Sequence, residues 1–275
     1  MIFAHVLKMW RLFMRPAICC IAAMAIVPAV AASDGSTLQD KAQTSDSETS
    51  SDAIDANELL REIDRNMQPP SFEMYRKLIN IEPDGRQREY VLYTIRKDDR
   101  VAAVFLDPPP ERGRSTLRRG ENMWLYVPEV GRPIRITSLQ SAVGGVFNNS
   151  DIMRLDFSDE YTAELTDKDD THYILDLQAR DQTVPYERLK MWVDREAIIP
   201  SRIEAYADAD LLIKTLDYSG IEDFGDGIVR PSRLDTTSPL QKGYRSVMLF
   251  SNIRARDLPD EAFTLGFMPR VGELR

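Results

Sequence analysis

The chain has 275 residues, of which 43% are hydrophobic and 29% charged, and a formal net charge of −9. This length is ample for one sizeable core. The acidic balance is a poor match for nucleic acid and anionic membrane surfaces, which reward clustered Lys and Arg, so no nucleic-acid partner is expected.

The N-terminus has the form of a secretory signal peptide over residues 1–32. Lys8, Arg11 and Arg15 make a basic flank, Ala17 to Ala31 is a short apolar run, and Ala29-Val30-Ala31 and Val30-Ala31-Ala32 offer small residues for cleavage. The run is short for a membrane span and a polar tract follows it, although an uncleaved anchor is the competing reading. Cleavage implies a bacterial periplasm. Cys19 and Cys20, the only cysteines, lie in this segment outside a lipidation context, so the mature chain is expected to hold no disulfide and no thiolate nucleophile. Removing three of the 35 basic residues and none of the 44 acidic ones gives a mature charge of −12.

Residues 33–54 are rich in Ser, Thr, Asp and Gln and are expected to be a disordered linker, because so little apolar surface cannot offset ordering entropy. A domain is expected over 55–275. Asp55 followed by Glu58 resembles a capping box. The spacing of Leu59, Leu60, Ile63 and Met67 predicts a helix over Ala56 to Met67, ended by Pro69-Pro70.

From Phe72 onward, strand-like runs alternate with turn signals and no crossover helices intervene. Phe72–Ile81 and Arg88–Lys97 flank Pro83-Asp84-Gly85, a hairpin signal. Val101–Leu106 and Ser115–Arg119 follow. Gly120 to Thr137 reads as a hairpin with Trp124 and Tyr126 on one face of its first strand and Met123, Leu125 and Val127 on the other. That strand is apolar on both sides. Either it is a plain central strand, or one side faces a cover or ligand. After a break come Tyr161–Thr166, Thr171–Ala179, Glu187–Asp194, Ser201–Tyr206, Leu211–Tyr218, Ile228–Thr236 and Arg245–Ile253. Leu189, Met191 and Val193 alternate with polar neighbours, so their strand has one wet and one apolar face. The pattern predicts a mainly β fold: a single highly curved antiparallel sheet forming a half-open β-barrel of about eleven strands. An interior that wide needs a plug or a ligand.

The break, Leu139 to Asp156, carries Val143, Val146 and Phe147 around Gly144-Gly145, then a helix start at Ser150-Asp151 followed by Ile152, Met153 and Leu155. It suits a lid over an apolar mouth, or a loop helix packed permanently on the sheet.

Catalytic and metal motifs are scarce. His172 is the one histidine beyond the signal segment, which excludes a multi-histidine zinc site. No G-x-S-x-G elbow accompanies it. Asp167, Asp169 and Asp170 lack the glycine and glutamate of a calcium loop. No phosphate-binding glycine motif occurs, and a paired-carboxylate glycosidase has no positive support. No cofactor and no enzymatic activity are expected. Arg132 and Arg135 could hold a phosphate or carboxylate head group at a pocket mouth, or pair with surface carboxylates.

The turn glycine Gly120, then Met123-Trp124-Leu125-Tyr126 with Pro128, then Arg132 and Arg135-Ile136, resembles the central hairpin of the periplasmic lipoprotein carrier (LolA-like) superfamily, in its outer-membrane lipoprotein-sorting branch. Leu106-Asp107-Pro108 and Phe263-Thr264-Leu265 extend the likeness. The resemblance implies an N-terminal helix laid on the sheet and a short helical lid. It implies a monomeric carrier that buries lipid or an acylated lipoprotein, at about 0.8 kcal/mol per methylene. An inner-membrane transporter and an outer-membrane acceptor would be its partners. A non-transporting adaptor of the same fold is the alternative. On this reading Trp124, Tyr126, Val143, Val146, Phe147, Ile152, Met153, Leu155, Leu189, Met191 and Val193 are cavity or lid residues, with Arg132 and Arg135 at the head group.

Overall fold

The computed structural model describes residues 54–275. The signal peptide and nearly all of the linker lie outside the described residues. The first element is α1 (Ala56–Met67), with the bounds expected from its periodicity. Its N-cap Asp55 accepts from the backbone N–H of Asn57 (2.9 Å) and Glu58 (3.2 Å), which satisfies two donors that the first turn leaves free. Leu59, Leu60, Ile63 and Met67 form its buried stripe.

Thirteen strands follow: β1 (Ser71–Ile81), β2 (Gln87–Lys97), β3 (Arg100–Asp107), β4 (Ser115–Arg119), β5 (Asn122–Tyr126), β6 (Pro133–Ile136), β7 (Tyr161–Lys168), β8 (His172–Ala179), β9 (Arg188–Asp194), β10 (Ile199–Ala207), β11 (Leu211–Asp223), β12 (Val229–Thr237) and β13 (Arg245–Ala255). They make one antiparallel sheet in the order β6-β5-β4-β3-β2-β1-β13-β12-β11-β10-β9-β8-β7. This is two strands more than the expected eleven, and the sheet stays open between β6 and β7. Met123 of β5 and Leu175 of β8, near opposite ends of the strand order, belong to one apolar cluster, so the sheet curls around a shared interior.

The curl sets the role of α1. Its stripe joins that interior cluster, and Asn57 pairs with edge strand β7, accepting from Ala163 N (2.9 Å) and donating to Ala163 O (3.3 Å). An exposed strand edge is thereby partly covered.

A second apolar cluster lies on the outer face of β2 to β5. The C-terminal segment, wound in 3₁₀ turns over Asp260–Phe263 and Leu265–Leu274, packs Phe263, Phe267, Met268 and Val271 on Tyr93, Ile95, Ala102, Val104 and Leu117. Ser115 Oγ donates to Met268 O at 2.8 Å and fixes the segment's position. Among the described residues no helix is long and apolar enough to cross a membrane.

Candidate functional site

Edge strands β6 and β7 are consecutive in sequence yet lie at opposite ends of the sheet. Residues 137–160 therefore have to cross the open side. This connection holds two one-turn helices, α2 (Asn149–Ile152) and α3 (Phe157–Glu160). Asn148 caps α2 with a reciprocal bond to Asp151, as Asn148 N donates to Asp151 Oδ2 at 3.0 Å and Asp151 N to Asn148 Oδ1 at 3.0 Å. Phe147, Ile152, Met153, Leu155 and Phe157 turn inward and join the interior cluster, and Val143 packs against it half-buried. Val146 is buried too. Leu189, Met191 and Val193 of β9 enter the same cluster from the far wall.

Polar contacts from both walls hold this crossing segment. Asn80 of β1 donates to Val143 O (3.3 Å) and to Gly144 O, and Tyr90 of β2 donates to Val143 O at 3.3 Å. Arg114, Arg118 and Arg76 donate to the carbonyls of Ala142, Met153 and Ile152 respectively. From the other wall, Lys214 of β11 donates to Val146 O (2.9 Å) and pairs with Asp151 Oδ2 at 2.6 Å, and Tyr186 donates to Asp151 Oδ1 at 2.9 Å. The Lys214–Asp151 pair is almost sealed, at 4% and 1% side-chain exposure. Burial, then the Asp151 charge, raises the Tyr186 hydroxyl well above the usual phenol value. The glycine pair allows close seating. Gly145 has φ +98°, and a Cβ there would lie 2.3 Å from Asn80 Oδ1.

Behind the crossing segment lies a cavity of about 50 Å³, room for roughly three to five waters. Ile152, Leu155, Phe250 and Met248 supply its apolar wall, and Arg76, Arg96, Arg154 and Arg230 with Asp64 and Asp151 its charges. A smaller cavity of about 20 Å³ is walled by Tyr161, Leu189, Ile203 and Leu216, and it shares Asp151, Arg154 and Phe157 with the first. At the inner end of α1, Asp64 accepts from Phe157 N and Ser158 N, both at 2.8 Å. Burial, then the nearby Asp156 charge, pushes its carboxyl up to about 6.

Strand alternation places the remaining expected residues elsewhere. On β5 it is Met123 that enters the interior cluster, whereas Trp124 and Tyr126 pack half-buried against the outer cluster beneath the C-terminal segment. A strand apolar on both sides gives no sign of which face is inner, and here two different covers occupy the two faces. Trp192 likewise points outward, with Lys190 and Arg202 against its ring. Arg135 pairs across the sheet with Trp124, is exposed, and donates to Asn122. Arg132 is exposed in the preceding turn. Neither borders the described cavities.

The inward arginines carry a signal the sequence reading passed over. Arg76 has the parity of Phe72, Met74 and Leu78 on β1, so an inner face that is otherwise apolar points it inside. Among the described residues no group of His, Cys, Asp and Glu side chains could hold a metal ion.

A family model described as an uncharacterized protein matches residues 97–270. Similar solved structures include a LolA superfamily protein from Nitrosomonas europaea, 29% identical with a TM-score of 0.72 over 78% of this chain and 100% of that one. A DUF1329 family protein from Desulfovibrio piger is 24% identical with a TM-score of 0.69, over 77% and 97% of the two chains. A domain described as outer membrane lipoprotein-sorting, from Vibrio parahaemolyticus, is 19% identical with a TM-score of 0.67, over 78% and 98%. The last two speak to fold alone. No curated protein matches the chain.

Proposed function

The chain belongs to the LolA-like superfamily, with a fold of the lipoprotein-sorting carrier type, and from that premise we propose that it carries lipid or an acylated lipoprotein through the periplasm. The lid is the segment 139–156, and the ligand's acyl chains replace it and α1 as the filling of the curled sheet. An inner-membrane transporter would load the carrier and an outer-membrane acceptor would unload it. The chain would act as a monomer and without enzymatic chemistry.

The observation that supports this reading most is how the open side is closed. The crossing segment is held by backbone carbonyls, one capping box and the ion pairs Lys214–Asp151, Arg96–Asp156 and Arg118–Glu160, contacts that can be exchanged as a unit. An interior of about 50 Å³ is far below the roughly 300–1,000 Å³ of a ligand pocket, so loading requires the segment to leave. Opening would be selected by a ligand that binds the open form better.

The same small volume favours a second reading, an adaptor whose interior never opens. Mass spectrometry of organic extracts, made from protein purified from its native envelope, separates the two. A stoichiometric long-chain lipid is expected. A protein consistently free of lipid, from which no long-chain lipid displaces a fluorescent fatty-acid analogue, would leave the adaptor. Trp124 and Trp192 face away from the interior, so the analogue's own emission is the signal to follow.

A further inference from the structure

Four guanidinium groups line the cavity, those of Arg76, Arg96 and Arg230 from the sheet and that of Arg154 from the lid itself, beside the carboxylates of Asp64 and Asp151; among the described residues no carboxylate pairs with Arg76, Arg154 or Arg230. Arg76 and Arg230 are each 3% exposed. Arg76 spends its donors on Thr94 Oγ1 (3.1 and 2.6 Å) and on the Ile152 carbonyl. Arg230 gives one bond, to Met67 O at 2.6 Å, and its Nε is sealed from solvent with no acceptor. Arg154 is half-buried, stacks on Phe157 at 4.6 Å, and its enclosed Nη1 also lacks an acceptor. The other inward arginines differ. Arg96 is clamped by Asp156 (2.7 and 2.9 Å) and Arg118 by Glu160.

Buried charge without a partner is costly, and a guanidinium does not escape by giving up its proton at neutral pH. Like charge adds to the cost for the two arginines of the sheet, whereas, against its burial, Tyr218 and Asp151 hold Arg154 above its ordinary value. Burial, then the Arg230 charge, pushes Arg76 down to about 9, and burial, with Arg154 adding to it against Tyr218, pushes Arg230 down to about 10. Both remain cations. A sheet wall that keeps Arg76 and Arg230 together, one of them with an idle Nε, is complementary to an oxyanion once the lid and its Asp151 have left.

We propose that Arg76 and Arg230 form the binding site for the phosphate of an anionic phospholipid, on the wall of the sheet that the lid uncovers, with its acyl chains running into the apolar pocket of Leu189, Ile203 and Leu216. The placement follows from the two cavities, which meet at Arg154. It rests on the carrier reading and narrows it. The lipid end of an acylated lipoprotein, a diacylglyceryl group with no anionic head, leaves these donors idle.

Binding of dioleoyl phosphatidylglycerol, dioleoylglycerol and inorganic phosphate to the full chain, and to Arg76→Gln and Arg230→Gln, tests the assignment. The parent is expected to bind phosphatidylglycerol at least about tenfold more tightly than dioleoylglycerol, the worth of one charge-assisted hydrogen bond. Each variant is expected to lose about tenfold for phosphatidylglycerol and less than about twofold for dioleoylglycerol. Without lipid, Arg230→Gln is expected to raise the thermal midpoint, because an unpaired buried charge is gone; a purely structural arginine would lower it. Equal binding of the two lipids in parent and variants overturns the phosphate site and leaves the carrier reading standing. Inorganic phosphate binding as tightly as phosphatidylglycerol overturns the lipid source. Binding of neither lipid overturns both.

Discussion

One sheet carries two covers of different construction. On the outer face, the C-terminal segment seals β2 to β5 chiefly with an apolar cluster, in which Phe263, Met268 and Val271 are each 1% exposed, while Ser115, Tyr93 and Arg256 donate to its Met268 and Leu274 carbonyls. On the inner face, the crossing segment lies over a lining that mixes Leu175, Leu177 and Met191 with buried Arg, Lys, Asp and Asn. An apolar seal loses contacts gradually along its length. A polar latch holds in one seated geometry and fails when that geometry is lost, since each displaced group needs another partner. On the proposed carrier reading, the outer cover belongs to the permanent fold and the inner cover is a two-state device.

The widest gap between the two faces is expected from paired truncations. Phe263→Ala on the outer face should cost about 3–5 kcal/mol of global stability, as for other fully buried phenylalanines, with lipid release unchanged. Phe147→Asp on the inner face should place a charge against apolar surface only while the lid is closed. Its denaturant midpoint should move less than that of Phe263→Ala, and its lipid off-rate should rise. A Phe147 variant that unfolds easily and releases lipid normally would make both covers alike.

Next in size is the latch itself. Lys214→Met leaves Asp151 buried without its cation, a loss of about 3–5 kcal/mol where a buried pair is broken from one side. Adding Asp151→Asn should recover much of it, as chemical denaturation of both variants would show. If the double variant is no better than the single, Lys214 acts through packing alone.

A smaller effect concerns Asp64, at the junction of α1 and the crossing segment. Its folded pKa of about 6 lies above the usual carboxylate value, so between about pH 4 and 6 the folded state holds more of the proton. The stabilisation is present in full below the unfolded value and is lost as pH rises through 6. The stability difference between the parent and Asp64→Asn should fall by the order of 2–3 kcal/mol across that window. A difference that stays flat with pH would place Asp64 in contact with solvent.

The smallest effect is expected at the exposed edge. Arg135→Ala should change stability by less than about 0.5 kcal/mol, as surface substitutions usually do, and lipid affinity by less than twofold. A larger loss of affinity would move the head-group contact from the interior to the β5–β6 turn.

The parts of this arrangement legible in the sequence are those where one period dominates. The stripe Leu59-Leu60-Ile63-Met67 and the Asp55 cap define α1, and alternation with Pro83-Asp84-Gly85 defines the β1–β2 hairpin. The crossing segment stood out because Leu139 to Asp156 breaks the strand pattern. Residues 260–274 gave no such sign, because a 3₁₀ path around Pro269 has neither the period of a strand nor that of a helix. Facing was hidden where both sides of a strand are apolar, as on β5. The interior arginines were hidden by the ordinary expectation that arginine faces water; only the parity of Phe72, Met74 and Leu78 around Arg76 contradicts it.

Amide hydrogen exchange of the full chain, with and without dioleoyl phosphatidylglycerol, tests the two-cover account most directly. Residues 142–155 are expected to exchange through an opening well below the global unfolding free energy, with 258–271 protected at the global level, and lipid should alter exchange in the first segment only. Exchange of both segments at the same global level, unmoved by lipid, would contradict it.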